Sequence, residues 1–315
     1  LEFIFKQLNI EPISIHLREG LALINGTSVM TGIGVINIIR AKNLFNWSVI
    51  HSCMLNEIVE SFDDHFSVEL NEVKKHKGQN YVASLMRNVL KDSKLITKRE
   101  AHFYNNNQPE DLKTFNKKVQ EYYSLRCVPQ ILGPIIDTIE SAKEVVMNEF
   151  NSVSDNPIIH CDTQTVYHGG NFHGDYISLE MDKLKLAMVR LSMFSERQLN
   201  YIFNPRLNEK LPPYVNLGTL GLNLGLQAAQ FTATSTVAEN QALSTSLYVH
   251  SIPTNNDNQD IVSMGTNSAL ICKRVIDNSY QVMAIQLIAL VQGIDYIKST
   301  DKLSTFTRKI YQEVR

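Results

Sequence analysis

The amino-acid sequence predicts a mainly α protein, a single domain over residues 1–315 built as a bundle of long packed helices. Three observations carry that expectation. Apolar residues recur at three- and four-residue spacings over long stretches, as they do when a helix buries one face. One stretch is apolar almost all round its axis, as a helix buried on every side would be. Strand signals are few and short.

In chain order, Glu57 to Lys118 is more charged and more interrupted ("NEVKKHKGQN", "YNNNQPEDLK") and reads as peripheral helices and loops over the bundle. Its "KKHK" run reads as a solvated face, since four residues are too few for a nucleic-acid patch. Ile131 to Phe150 reads as a long helix ahead of the "NSVSDNP" turn. "TVYHGG" (Thr165 to Gly170) is the best strand candidate. In "SLEMDKLKLAMVRLSMFSERQLNYIF", Leu184, Ala187, Met188, Leu191, Phe194 and Gln198 fall on one helix face. Gly225 to Val249 is rich in Ala, Thr and Ser, which suits a helix packed closely on its neighbours. Thr266 to Ile297 is the all-round apolar helix ("QVMAIQLIALVQGIDYI"). No repeat, low-complexity tract or linker divides the chain.

Composition narrows the function classes. The chain is 43% hydrophobic and 20% charged, ordinary for a soluble globular protein. Its 30 basic side chains stand against 32 acidic ones, a formal charge of -2, without the basic excess that marks a nucleic-acid binder. Cys53, Cys127, Cys161 and Cys272 are scattered, with no CxxC pair, as small buried thiols in a reducing compartment would be. No signal-peptide pattern opens the chain, and its longest uninterrupted apolar runs are too short to span a bilayer. The cytoplasm is the expected location, with neither membrane nor nucleic acid as a partner. The chain starts at Leu1 and stops at Arg315 inside a helical pattern, so it is expected to be a piece of a longer protein, cut after a basic residue.

Five polar islands interrupt the apolar scaffold: "EGLALINGTSVMTG", "VQEYYSLRCVPQ", "NSVSDNP", "YHGGNFHGD" and "SIPTNNDNQDIVSMG". Singly, each has a plain structural explanation. Asn25-Gly26 is a turn pair, Arg126 suits a surface ion pair, Gly169-Gly170 a tight bend, and Asp155-Asn156-Pro157 a helix stop. The row from Asn255 to Asp260 suits a turn-rich surface loop. His168 and His173 are five apart and match a metal site poorly, so no metal is expected.

In this order, however, the islands are specific. Carried by "EGLALINGT" (Glu19 to Thr27), "YSLRCVPQILG" (Tyr123 to Gly133), "DNP" (Asp155 to Pro157), "GGNFHG" (Gly169 to Gly174) and "SIPTNNDNQDIVSMG" (Ser251 to Gly265), the chain resembles the aromatic amino acid ammonia-lyase family. That family includes histidine, phenylalanine and tyrosine ammonia-lyases. The resemblance covers essentially all 315 residues, as the central and much of the C-terminal part of such an enzyme, and "EYYSLR" and "NNDNQDIVSMG" look like bacterial tyrosine ammonia-lyases.

The resemblance implies a helical fold of the ammonia-lyase (fumarase/aspartase-like) type and a non-oxidative elimination. An electrophilic 4-methylidene-imidazol-5-one, formed from an internal Ala-Ser-Gly triplet, captures the substrate amine. A base removes a β-proton, and ammonia leaves to give a trans-α,β-unsaturated acid. Such a site must improve the amine as a leaving group and hold the carboxylate rigidly. By the same resemblance Arg126 grips the carboxylate, a task suited to the guanidinium fork. Asn25 hydrogen-bonds near the electrophile, Tyr123 handles protons near the ammonia, and Gln120 sits with it. Phe172 packs its ring against electrophile or substrate, while Asn255, Asn258 and Gln259 face the amino group. The family also implies a homotetramer with composite active sites.

Two departures qualify the resemblance. No Ala-Ser-Gly triplet occurs in the 315 residues. The family's tyrosine base and selectivity loop also precede the region covered. The chain alone is therefore expected to be inactive, the N-terminal part of the enzyme being either lost or a separate partner fragment. Where histidine ammonia-lyases place a glutamate ("NQED"), the sequence reads Asn258-Gln259-Asp260. A neutral carboxamide there is the pattern of phenylalanine and tyrosine lyases, so tyrosine, giving 4-coumarate, is the favoured substrate. The competing readings are a histidine ammonia-lyase giving urocanate, an aminomutase, and a non-catalytic helical scaffold. A fumarase-like lyase is set aside because no "GSSxMPxKxN" signature occurs.

Overall fold

The structure, a computed structural model, describes residues 1–103 and 119–315. Two short helices, α1 (Glu2–Leu8) and α2 (Glu19–Ala22), lead into the long α3 (Ser28–Ile58). After it come α4 (Val68–Glu72), α5 (Lys77–Val89), α6 (Arg99–Phe103), the one-turn α7 (Tyr123–Arg126) and α8 (Val128–Phe150). A hairpin of β1 (Ile158–His160) and β2 (Thr165–Tyr167) pairs antiparallel, with Ile159 opposite Val166. The chain then forms α9 (Asp175–Phe203), α10 (Pro205–Asn208), α11 (Gln227–Ala242), α12 (Gly265–Ile297) and α13 (Thr305–Val314).

The bundle is built on α3, α8, α9 and α12, with α5 laid on α8 and α11 on α9 and α12. Gly34, near the start of α3, lies against Val146 near the end of α8 and Met181 near the start of α9. Gly293, near the end of α12, lies against Ile58 at the end of α3. Thus α3, α9 and α12 all begin at one end of the bundle, and α8 runs back toward it. The core is two stacked clusters. One is centred on Phe45, Leu132, Met181 and Ile276, the other on Leu55, Leu125, Tyr201 and Leu290.

Three of the expected long helices are present with slightly wider bounds, and the structure adds one the sequence reading passed over. Helix α3 has no single apolar stripe, because α8, α9 and α12 enclose it on several sides. Several of its polar residues are buried and bonded inside the bundle rather than solvated: Asn37 Nδ2 donates to the Ala269 carbonyl at 2.9 Å, and Asn56 Nδ2 to the Ser52 carbonyl at 2.7 Å. With Gly32 and Gly34 in its first turns, its local propensity is also low.

Other expectations change. The helix expected over Gly225 to Val249 is shorter, Gln227–Ala242. Gly225 sits in the left-handed region (φ 57°), and beyond Ala242 the chain is drawn onto α9. Of "TVYHGG", only Thr165–Tyr167 is strand. The segment from Glu57 is not merely a cover. Glu57 is fully buried and accepts from Ser304 N and Thr307 Oγ1, both at 2.6 Å, and Val82, Ala83 and Met86 of α5 are core. Residues Lys74, Lys75 and Lys77 are exposed, and residues 104–118 of the segment lie outside the described residues. Cys53 and Cys272 are buried thiols, but Cys127 is half-buried and Cys161 lies exposed beside the hairpin turn.

By length and composition α12 could cross a membrane, more than the sequence's short apolar runs suggested. Here it is a bundle helix: it packs on α9 and α3, and it buries Asn278, Ser279 and Gln286. It is not covered on every side either, since Leu270 and Ile288 are about half exposed.

Candidate functional site

Four of the five polar islands meet where α3, α9 and α12 begin. The turn ahead of α3 sets Asn25 against the "DNP" turn, its Nδ2 donating to Asp155 Oδ1 at 2.6 Å. Arg18 stands 3.6 Å from Asp155 Oδ2 and donates to the Asn156 carbonyl. The Asn156 backbone N–H, the Asn25 amide and the Arg18 charge hold the Asp155 carboxyl below its usual range. Asn156 Oδ1 accepts from Gly169 N at 2.7 Å, which draws in the glycine-rich stretch that carries Phe172. Gly26 has φ 82° and lies hard against the Ser154 carbonyl, leaving no room for a side chain. Gly174 and Gly265 both pack on Met30, which brings the last island alongside.

That last island is a closed loop. Thr254 N donates to Gln259 O at 3.1 Å and Gln259 N to Thr254 O at 3.2 Å. Thr254 Oγ1 donates to Gln259 Oε1 at 2.9 Å. Asn255, Asn256 and Asp257 take left-handed backbone, φ 55°, 53° and 62°, a region that Asn and Asp tolerate better than other non-glycine residues. The polar row therefore serves the loop's backbone as well as presenting exposed amides at Asn255, Asn258 and Gln259.

The chain entering this loop is clamped from below by Asp182. Its carboxylate accepts from Lys185 Nζ (2.7 Å), Ser246 Oγ (2.7 Å), Leu247 N (2.7 Å), Tyr248 N (2.8 Å) and Ser268 Oγ (2.8 Å). Lys185, wholly buried, also donates to the Thr245 carbonyl at 2.7 Å. Burial alone would raise the Asp182 pKa, but these hydrogen bonds outweigh it and hold the group at about 2.

The fifth island lies at the far end of the bundle. There a cleft of about 890 Å³ is lined by Gln120, Tyr122, Tyr123, Arg126, Arg197 and Tyr201, among others. The Arg126 guanidinium sits 4.8 Å from the Tyr123 ring centroid, a cation–π arrangement. Among the described residues, Arg126 Nε is buried without a hydrogen-bond partner, as is the Tyr201 hydroxyl, whose pKa burial pushes up. An unpartnered guanidinium N–H beside an open cleft is a donor awaiting an anion. Among the described residues, no group of three or more His, Cys, Asp or Glu is placed to hold a metal.

The predicted residues therefore fall into two sets. Gln120, Tyr123 and Arg126 share one cleft; Asn25, Phe172, Asn255, Asn258 and Gln259 share the opposite end. Helix α9, whose 29 residues run from one end to the other, spans about 40 Å at 1.5 Å per residue. No single copy brings the two sets together.

The model of aromatic amino acid lyases matches residues 2–315. The chain belongs to the aromatic amino acid lyase family. Among lyases of this kind, it is 37% identical over 313 residues to the histidine ammonia-lyase of Halalkalibacterium halodurans, covering 99% of this chain and 58% of that protein. It is 34% identical over 316 residues to the tyrosine ammonia-lyase of Cupriavidus metallidurans, covering 99% and 59%. The crystal structure of tyrosine aminomutase from Streptomyces globisporus superposes with a TM-score of 0.94 at 34% identity, covering 100% of this chain and 60% of that one. The helical bundle is thus the lyase fold, and the chain spans about 60% of the length of the curated relatives it matches.

Sequence reasoning had assigned no role to Asp182, Arg18 or Gln198. Asp155 belongs to the "DNP" motif but has no individual role in the sequence analysis, yet it is the partner of Asn25. Gln198 and Asp182 did leave a signal: each is a polar residue on a helix turned toward the core, and a buried polar group needs a partner.

Proposed function

We propose that this chain supplies the carboxylate-binding and proton-handling groups of an aromatic amino acid ammonia-lyase, with tyrosine as the favoured substrate and 4-coumarate as product. The observation that carries the reading is the Arg126 guanidinium, stacked on Tyr123, with an unpartnered buried N–H in the wall of an open cleft. Arg126 binds the substrate carboxylate there, and Tyr123 exchanges a proton close to the departing nitrogen. Asn25, oriented by Asp155, belongs to the other half of the site, with Phe172 and the amides of the closed loop. Because the halves lie at opposite ends of one copy, the complete site is assembled from different copies in a homotetramer.

The family's methylidene-imidazolone would be held beside Asn25, whose amide is oriented by Asp155 Oδ1 at 2.6 Å. When present, the group supplies the electrophile that captures the substrate amine. No Ala-Ser-Gly occurs in the 315 residues, so we place its origin outside this stretch and expect the stretch alone to be inactive.

A second reading, histidine as substrate, is favoured by the 37% identity to a histidine ammonia-lyase against 34% to a tyrosine ammonia-lyase. Against it stands the carboxamide of Gln259, which binds without placing a negative charge beside the amine. Full-length enzyme assayed with tyrosine, phenylalanine and histidine side by side separates the two. Release of 4-coumarate and ammonia from tyrosine is expected; urocanate from histidine alone would overturn the assignment, and a β-amino acid product would mark an aminomutase.

A further inference from the structure

Helix α7 is a single turn, too short to hold its form by its own hydrogen bonds, so its orientation is set by what grips it. Leu125 plugs it into the core. The second grip is Gln198 of α9, a residue on that helix's apolar face and only 1% exposed. Its Nε2 donates to the Ser124 carbonyl and to Ser52 Oγ, both at 2.9 Å. Its Oε1 accepts from Gln286 Nε2 at 2.8 Å, and Gln286 Oε1 meets His51 Nδ1 at 3.1 Å.

This relay has a direction. Burial lowers the His51 pKa to about 4, against the opposing pull of its Gln286 hydrogen bond, so the ring is neutral near pH 7. A neutral ring that donates from Nδ1 fixes the Gln286 carbonyl toward it and turns the Gln286 amide N–H toward Gln198. Gln198 in turn can only present its N–H pair to Ser124 and Ser52. Four elements, α3, α12, α9 and α7, are locked in one hydrogen-bonded line that ends on the backbone between Tyr123 and Arg126.

From this geometry we infer that Gln198 is a positioning residue: by holding the Ser124 carbonyl it aims Tyr123 and Arg126 into the cleft. The inference rests on the reading of that cleft as the carboxylate site. It is tested in the assembled full-length enzyme with Gln198→Met, which keeps the volume and removes the three hydrogen bonds. Inhibition constants are measured for trans-4-coumarate and for its neutral amide, beside the KM and kcat for tyrosine. The expected result is at least a tenfold loss of affinity for the acid with the amide within about twofold, and a KM that rises more than kcat falls. Gln198→Glu, which still accepts from Gln286 but as a carboxylate lacks the N–H donor, is expected to show the same split if Gln198→Met does not fold. Equal weakening of acid and amide, or no change in either, overturns the inference. A wild-type enzyme that binds the acid no better than the amide instead overturns the reading of the cleft.

Discussion

Replacing Arg126 with alanine is expected to lower kcat/KM for the amino acid by roughly 30-fold or more, since truncating one partner of a hydrogen-bonded charge pair costs about 2–5 kcal/mol. The same change should hardly affect stability. Arg126 Nε has no hydrogen-bond partner among the described residues, and Tyr123, whose ring it covers, is itself 69% exposed. An exposed cation–π contact contributes only about 0.5–1 kcal/mol. Arg126→Lys keeps the charge and loses the fork, so it should recover part of the affinity and not all of it. Steady-state kinetics beside a melting curve checks all three statements. Unchanged turnover in Arg126→Ala would remove the carboxylate assignment.

The largest loss of stability is expected from Asp182→Ala. The substitution leaves the Lys185 ammonium, with no solvent exposure, facing only the Thr245 carbonyl. Removing one member of a buried ion pair costs about 3–5 kcal/mol, which in a chain of this size lowers the melting temperature by about 5–8 °C. The loop from Ser251 to Gly265 loses its footing as well, because Asp182 holds Ser246, Leu247 and Tyr248. Adding Lys185→Met should recover the share owed to the unpaired charge and leave the share owed to the loop. If the double variant melts no higher than the single one, the charge is not what the clamp protects.

The clamp also predicts the direction of acid sensitivity. With Asp182 held at about 2 in the folded chain and near 3.9 when unfolded, its contribution is complete above about pH 4. It is lost as the pH falls from there through about 2, and amounts to about 2–3 kcal/mol. Asp182→Asn should flatten that limb of the stability profile.

Much of the fold was legible because α8, α9 and α12 each keep a long apolar pattern. Helix α3 was not, for a physical reason: enclosure on several sides removes the contrast between faces, and its Asn37, Asn56 and His51 pair inside the core rather than with water. The tail of the helix expected up to Val249 failed differently. Its local sequence permits a helix, and a tertiary contact, Asp182 with the backbone of Leu247 and Tyr248, overrides it. The candidate site was legible as motifs, Asn25, Tyr123 and Arg126 among them, because those residue types stand in a recognisable order. Their spatial division was not, since nothing local reports that α9 separates "YSLR" from "LING" by the length of the bundle. Helix direction decides it, and that is a property of the packed chain.

The same division points to the most direct test. Full-length subunits carrying Arg126→Ala and subunits carrying Asn25→Ala should each be nearly inactive when assembled alone. Co-expressed, they should regain activity, because a site drawing Arg126 from one copy and Asn25 from another is intact in about a quarter of random assortments. A mixture no more active than the separate variants, with hetero-assembly verified by mass, would contradict a site built between copies from opposite ends of the bundle.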